Sequence, residues 1–157
     1  MEYGVIEREF HVDAAPEVVF DVISSPDHIR QWWQADEAEL GPVAGTSGEL
    51  VWGDRSSGTA HIARLTVVEA EQPRHFSFRW VYDDDVVAPG PGNSLLVTFD
   101  LVPTSAGTTV RLTESGFRER GWETAVLEKE YNDHVSGWDA HFVGGLQSYL
   151  GRLVSAA

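Results

Sequence analysis

The chain has 157 residues, a length typical of one domain. Because 42% of them are hydrophobic, the chain can bury a core, and this argues against a disordered protein. The absence of cysteine excludes disulfides, thiolate metal sites and a cysteine nucleophile. Eleven lysines and arginines stand against 25 aspartates and glutamates, which gives a formal net charge of −14. This charge repels phosphate groups, so we expect no nucleic-acid partner and no binding to anionic membranes.

The sequence also lacks the signals of export and membrane insertion. Residues Met1–Arg8 do not combine a cationic start with an apolar run, as a signal peptide does. No stretch approaches the ~18 uncharged apolar residues of a membrane helix. The sequence therefore predicts a cytoplasmic protein without membrane insertion.

The first predicted elements are one strand and two short helices. Apolar and polar side chains alternate over Glu2–Val12, the period of a half-buried strand. A helix is expected to begin at Asp13–Pro16, because proline is well accepted in a first turn. A second short helix is predicted over Pro26–Trp33.

The middle of the chain keeps the period of two and predicts about six strands in an antiparallel meander. They are Glu37–Leu40, Glu49–Asp54, Ala60–Glu71, Arg74–Tyr82, Ser94–Pro103 and Thr108–Ser115. The stretch Asp83–Asn93, rich in Asp, Pro and Gly, is expected to be a loop. The three consecutive aspartates in this stretch are interpreted as solvated charges. One role for the whole loop is that of a lid over the cavity mouth.

The period changes in the last third of the chain. From about Glu123 to Val154 there is no proline, and large apolar residues recur every three or four positions, which predicts a long amphipathic helix. The stretch Phe117–Lys129, which overlaps the start of this helix, is a candidate for a separate short helix. Three glycines would each cost the long helix about 1 kcal/mol relative to alanine, so we expect close packing to explain them; they are Gly137, Gly144 and Gly145.

This order of elements predicts an α+β fold, in which a curved antiparallel sheet (β-α-α-β6-α) wraps around the long C-terminal helix. A sheet that curves strongly meets the helix fully at one end only, and the other end leaves a cavity. Large inward-facing residues are expected to line it: Trp52, Phe76, Phe78, Trp80, Phe99, Trp138 and Phe142. Apolar cavities with few polar groups are typical of small-molecule sites.

A few other residues are candidate contacts to a ligand. Glu114 shares a strand face with apolar residues and is expected to point inward, where a carboxylate needs a partner, and Arg8 is a candidate for that role. His134 and His141 are seven residues apart, about 10.5 Å along a helix, which is too far for one metal ion, so they are candidate polar contacts and no metal is expected. Trp33 is expected to anchor the short helices, and a contact to the cavity is a second role that it can have at the same time.

Short motifs along nearly the whole chain support this fold. They are Ile6–Phe10, Ala15–Phe20, Pro26–Trp33, Pro73-Arg74 with Phe78-Arg79-Trp80, Val110–Phe117 and Ser136-Gly137-Trp138. Together they resemble the START-like helix-grip superfamily and, within it, the bacterial branch homologous to the activator of the heat-shock-protein-90 ATPase. The resemblance implies one helix-grip domain over residues 1–157, with a hydrophobic cavity that binds lipids, polyketides or other apolar molecules.

Three functions follow as hypotheses. The favoured one is binding of a small hydrophobic or amphipathic ligand, of unknown identity, between sheet and helix, without a cofactor. The second is a protein-interaction module that contacts a chaperone or another protein through its acidic surface. The third is a cyclase- or hydrolase-type enzyme, which requires Glu114 to meet His134 or His141 within hydrogen-bond reach. A monomer and a homodimer are both compatible with the sequence.

Overall fold

The chain begins with the predicted strand and two short helices. The structure, a computed structural model, describes residues 4–81 and 94–156. Its first elements are β1 (Val5–Val12), α1 (Pro16–Ser24) and α2 (Pro26–Trp32). Each helix starts with a proline, at a position where no helical partner exists for a backbone N–H.

Six further strands follow and join β1 in one antiparallel sheet. They are β2 (Glu37–Glu39), β3 (Ser47–Trp52), β4 (His61–Glu71), β5 (His75–Val81), β6 (Leu95–Pro103) and β7 (Thr108–Ser115). The strand order is β1-β7-β6-β5-β4-β3-β2, so the first strand pairs with the last and all other pairs are chain neighbours. The predicted α+β fold with a curved antiparallel sheet is confirmed. The expectations for Tyr82 and for Asp83–Asn93 lie outside the described residues.

The C-terminal helix is long, but it is not a uniform α-helix. It consists of α3 (Thr124–Trp138), a π-helical stretch (Asp139–Gln147) and α4 (Ser148–Ala156). The separate helix considered for Phe117–Lys129 is not formed, because residues 117–121 are turns and α3 begins at Thr124. Within the ranges that the structure describes, every helix falls short of the length and apolar character needed to cross a bilayer.

One of the three helix glycines marks a close approach between helices. A Cβ atom at Gly145 would overlap the backbone carbonyl oxygen of Trp32, at the end of α2. At Gly137 and Gly144 a Cβ would meet no atom within 4 Å. Close packing therefore explains Gly145 and does not explain the other two glycines.

Aromatic residues fill the core between the sheet and the helices. Phe142 of the π-helical stretch is fully buried, with its ring centroid 4.7 Å from that of Phe10 and 6.3 Å from that of Phe99. On the side of α1, the Phe20 and Phe76 rings lie 6.0 Å apart. The contacts of Phe142 hold the C-terminal helix close to the sheet, and the contact between Phe20 and Phe76 holds α1 to it.

The contact at Gly145 predicts an asymmetric effect of two adjacent substitutions. Gly145→Ala must push the C-terminal helix away from Trp32 and should lower the free energy of unfolding by about 1–3 kcal/mol, as overpacking does. Gly144→Ala is the matched control, since its added methyl group enters open space, and it should leave stability unchanged or slightly raised. Urea unfolding followed by circular dichroism measures both. Equal stabilities of the two variants would contradict the close contact.

Candidate functional site

A cavity of about 570 Å³ lies between the sheet and the C-terminal helix. Five of the six tryptophans of the chain line it: Trp33, Trp52, Trp80, Trp122 and Trp138. The other described residues in its wall are mostly charged groups and histidines: His61, Leu95, Arg120, Lys129, Glu130, Asp133, His134, Gly137 and His141. Its volume is within the range of about 300–1,000 Å³ that is usual for small-molecule sites.

Trp33 is the centre of the aromatic wall. Its ring centroid is 5.3 Å from that of Trp138, 5.4 Å from that of Trp80 and 5.8 Å from that of Trp52. On its other side it stacks on Trp32 at 4.9 Å, with the ring planes 12° apart. Because Trp32 is held by a hydrogen bond from Nε1 to the carbonyl oxygen of Val22, this stack fixes the position of the wall. Trp33 is therefore an anchor of the short helices and part of the cavity wall.

A buried carboxylate lies directly behind this wall. Glu114, on β7, is fully buried and accepts three hydrogen bonds. Trp80 Nε1 donates to Oε2 at 2.7 Å, while Trp138 Nε1 and His134 Nδ1 are both 2.8 Å from Oε1. Such bonds meet the requirement that a carboxylate removed from water keeps polar partners. They also join the sheet to α3 through side chains.

The inward orientation expected for Glu114 is correct, but the expected partner is wrong. Glu114 lies opposite Ile6 in the β1–β7 register, and Arg8 lies further along, opposite Leu112. The guanidinium of Arg8 reaches Asp139 instead, with Nε 2.8 Å from Oδ1, in a partly exposed ion pair. The partners of Glu114 come from β5 and the helix, which strand parity does not reveal.

His134 is the ionisable partner of Glu114. Burial lowers the pKa of its imidazole, but the charge of Glu114 and the hydrogen bond between them, with smaller contributions from Glu130 and Asp133, outweigh burial and raise the pKa above its ordinary value of 6.5. The imidazolium form is thereby favoured beside the carboxylate. His141, which also lines the cavity, has the opposite behaviour, because partial burial lowers its pKa.

The predicted ligand contacts divide into three groups. Trp33, Trp52, Trp80, His134, Trp138 and His141 line the cavity, and Glu114 lies behind its wall. The remaining four do not line it and are buried in the core: Phe76, Phe78, Phe99 and Phe142. Strand parity places these phenylalanines on the inward face, but it does not show at which point the helix packs closely on that face. Contact of any of these residues with a ligand stays a prediction.

Sequence reasoning missed eight of the described lining residues: His61, Leu95, Arg120, Trp122, Lys129, Glu130, Asp133 and Gly137. Arg120 and Trp122 come from the non-periodic segment between β7 and α3, and the Arg120 guanidinium lies 4.6 Å from the centre of the Trp122 ring. The available signal for this part of the wall was Trp122 itself, a tryptophan in a strongly polar segment. Lys129, also missed, is the only lysine of the chain. Among residues 4–81 and 94–156, no three His, Asp or Glu side chains are placed to share a metal ion.

The buried carboxylate predicts a large loss of stability on neutralisation. Glu114→Gln leaves the His134 imidazolium without its counter-charge and turns an amide N–H₂ group toward other N–H donors. Breaking a buried pair of this kind costs about 3–5 kcal/mol. Glu9→Gln, which removes an exposed carboxylate bonded to Arg111, should cost less than about 1 kcal/mol. Urea unfolding of both variants measures this difference, and similar losses would contradict the central role of Glu114.

The raised pKa of His134 predicts a pH-dependent stability. Because the folded-state pKa lies above the ordinary value of 6.5, the contribution of His134 to folding is fully present below pH 6.5 and is lost as the pH rises through the folded-state value. His134→Gln can still donate to Glu114 but does not titrate. The difference in unfolding free energy between wild type and this variant should therefore shrink as the pH rises above 6.5. A difference that stays constant or grows with pH would contradict the pairing.

Comparison with known proteins places this chain in a family. The sequence matches the model of the family described as Activator of Hsp90 ATPase homolog 1-like protein over residues 13–151. No curated protein gives a significant match to the sequence.

Solved structures with a similar fold come from several different organisms. A protein from Mesorhizobium loti has 20% identity and a TM-score of 0.72, with 98% of each chain covered. A protein of unknown function from Staphylococcus aureus has 14% identity and a TM-score of 0.73, with 98% of this chain and 96% of that chain covered. A Hsp90 activator from Plasmodium falciparum has 20% identity and a TM-score of 0.67, with 94% and 96% covered. At these identities the likeness establishes the fold. Because the family model spans most of the sequence, this chain belongs to the Activator of Hsp90 ATPase homolog 1-like protein family.

Proposed function

We propose that this protein binds a small aromatic or amphipathic molecule in the cavity between the sheet and the C-terminal helix. The observation that carries the proposal is the concentration of five tryptophans around a hollow of about 570 Å³. Protein interiors are normally packed as densely as organic crystals. Large rings that face an unfilled space lack the contacts that a bound molecule would supply.

The orientation of the indole groups indicates what kind of molecule fits. The N–H groups of Trp80 and Trp138 are directed to Glu114, and that of Trp52 donates to the carbonyl oxygen of Trp33 at 3.0 Å. These three side chains have therefore used their donors inside the wall. What they present to the cavity is ring surface, a small area in the case of Trp80 and Trp138, which are 4% and 2% exposed, and this favours apolar and aromatic groups.

The contact between Glu114 and His134 also meets the geometric condition for the enzyme hypothesis. At 2.8 Å, a carboxylate on Nδ1 orients an imidazole as in acid–base catalysis. We favour binding for two reasons. The same carboxylate is tied to two indole groups of the wall, and the described lining of the cavity contains no serine, threonine or tyrosine hydroxyl that the imidazole could activate.

Filling the cavity from the helix tests the proposal without breaking the fold. Gly137 lines the cavity, and a Cβ there meets no atom within 4 Å, so the ring of Gly137→Phe should enter the hollow. With the neutral probe N-phenyl-1-naphthylamine, we expect wild type to show quenched tryptophan fluorescence and enhanced probe emission. Gly137→Phe should bind the probe at least tenfold more weakly while remaining as stable as wild type, since glycine is unfavourable in a helix.

Gly144→Phe provides the matched control. Gly144 also has open space around its Cβ position, but it is exposed and does not belong to the cavity wall, so the probe should bind this variant like wild type. Equal affinity of wild type and Gly137→Phe, or no binding to wild type, would contradict a ligand site in this cavity.

A further inference from the structure

The charged side chains around the cavity compensate one another. Lys129 Nζ lies 2.8 Å from Asp133 Oδ2 in an exposed ion pair. His134, whose imidazolium form is favoured, has the buried carboxylate of Glu114 at 2.8 Å. The charged groups that remain in the described lining are one arginine and one glutamate, which have opposite signs. The described wall therefore offers a ligand no surplus charge of either sign.

This balance favours a ligand without a charge. A charged molecule gives up its water shell when it enters a cavity, and this loss is costly unless an opposite charge of the protein replaces the water. In the described wall each charge already has a counter-charge of the protein, so the loss would not be made good. An uncharged molecule avoids this cost.

His141 is the polar side chain of the wall that is available to such a molecule. It lines the cavity, is partly buried, and is the third residue of the π-helical stretch. Burial alone lowers its pKa, so the imidazole is neutral at pH 7. Within residues 4–81 and 94–156, this imidazole has neither a hydrogen bond nor an ion pair. A neutral imidazole has one N–H donor and one nitrogen acceptor to offer.

The position of His141 places this polar group beside the aromatic wall. Trp138 precedes it by three residues, and side chains three apart are neighbours on a helix surface. Both residues line the cavity, and the Trp138 ring lies 5.3 Å from that of Trp33. A molecule whose rings pack on these tryptophans therefore has its edge within reach of the imidazole.

We propose that the ligand of this cavity is an uncharged aromatic molecule with a hydroxyl group, whose rings pack on the tryptophans and whose hydroxyl group bonds to His141. The proposal rests on the proposed function and adds the chemical class of the ligand and a residue that determines specificity. A hydroxyl group both donates and accepts, so it matches either tautomer of a neutral imidazole. Such a bond is electrostatically stronger inside a protein than in water.

Four probes with the same ring system separate charge and hydrogen bonding from shape. They are 2-naphthol, 2-methylnaphthalene, in which a methyl group replaces the hydroxyl group, the anion 2-naphthoate and the cation 2-naphthylmethylammonium. Affinities are measured by calorimetry at pH 7, where a phenolic hydroxyl group with a pKa of about 10 keeps its proton. We expect wild type to bind 2-naphthol at least about tenfold more tightly than either charged probe.

Two variants of His141 test the hydrogen bond. In His141→Phe, which keeps a ring of similar shape, the affinity for 2-naphthol relative to 2-methylnaphthalene should fall about threefold to tenfold, the range of one neutral hydrogen bond. The affinity for 2-methylnaphthalene should stay as in wild type. His141→Gln keeps a donor and an acceptor, so it should retain most of the preference for 2-naphthol.

His61→Phe is the matched control. His61 also lines the cavity, but it lies on β4 and is exposed. This variant should keep the relative affinity for 2-naphthol that wild type shows. An unchanged relative affinity in His141→Phe, or an equal fall in His61→Phe, would overturn the assignment to His141.

The outcomes distinguish failure of this proposal from failure of the proposed function. Equal or tighter binding of 2-naphthoate or of the ammonium compound would overturn the uncharged ligand and leave the cavity as a binding site. If neither the four probes nor N-phenyl-1-naphthylamine bind wild type, both proposals fail.

Discussion

The rest of the structure depends on one carboxylate that is fully removed from water. Glu114 is acceptable at its position because Trp80, Trp138 and His134 each direct an N–H group at it. One of these groups comes from the sheet and two come from the helix. The carboxylate therefore sets how far α3 stands from the sheet, and at this point the two are joined by polar side chains instead of by close apolar packing. The opposite situation holds at Gly145, where the helix touches the backbone of α2.

This arrangement gives the cavity its chemical character. Indole groups that turn their N–H toward Glu114 offer ring surface to the hollow, so the polar anchor behind the wall makes the front of the wall apolar. The same anchor holds the charge of His134 beside the cavity. Family membership establishes the fold and a relation to activators of the Hsp90 ATPase. Within the described residues, the most distinctive feature is the tryptophan-lined hollow.

The sequence predicts the fold well, because period-two and period-3.6 patterns are local properties of the chain. Strand parity also predicts that Glu114 points inward. Strand parity does not predict which side chains bond to each other, because that depends on the register of the strands. It also does not predict whether an inward residue lines the cavity or lies in the core, because that depends on the path of the helix. Arg8 has an inward parity but pairs with Asp139, and Phe99 lies on the same face of the sheet as Glu114 but is buried in the core and does not line the cavity. Arg120 and Trp122 lie in a segment without any period, so no pattern could place them at the cavity.

The central claim is that the interior beside Glu114 is hollow and accepts a guest molecule. A crystal structure of the protein grown with N-phenyl-1-naphthylamine tests this most directly. The account predicts density for the probe among the five tryptophans, with the hydrogen bonds from Trp80, Trp138 and His134 to Glu114 intact. A crystal structure in which these tryptophan rings pack together and fill the space, with the probe elsewhere or absent, would contradict it.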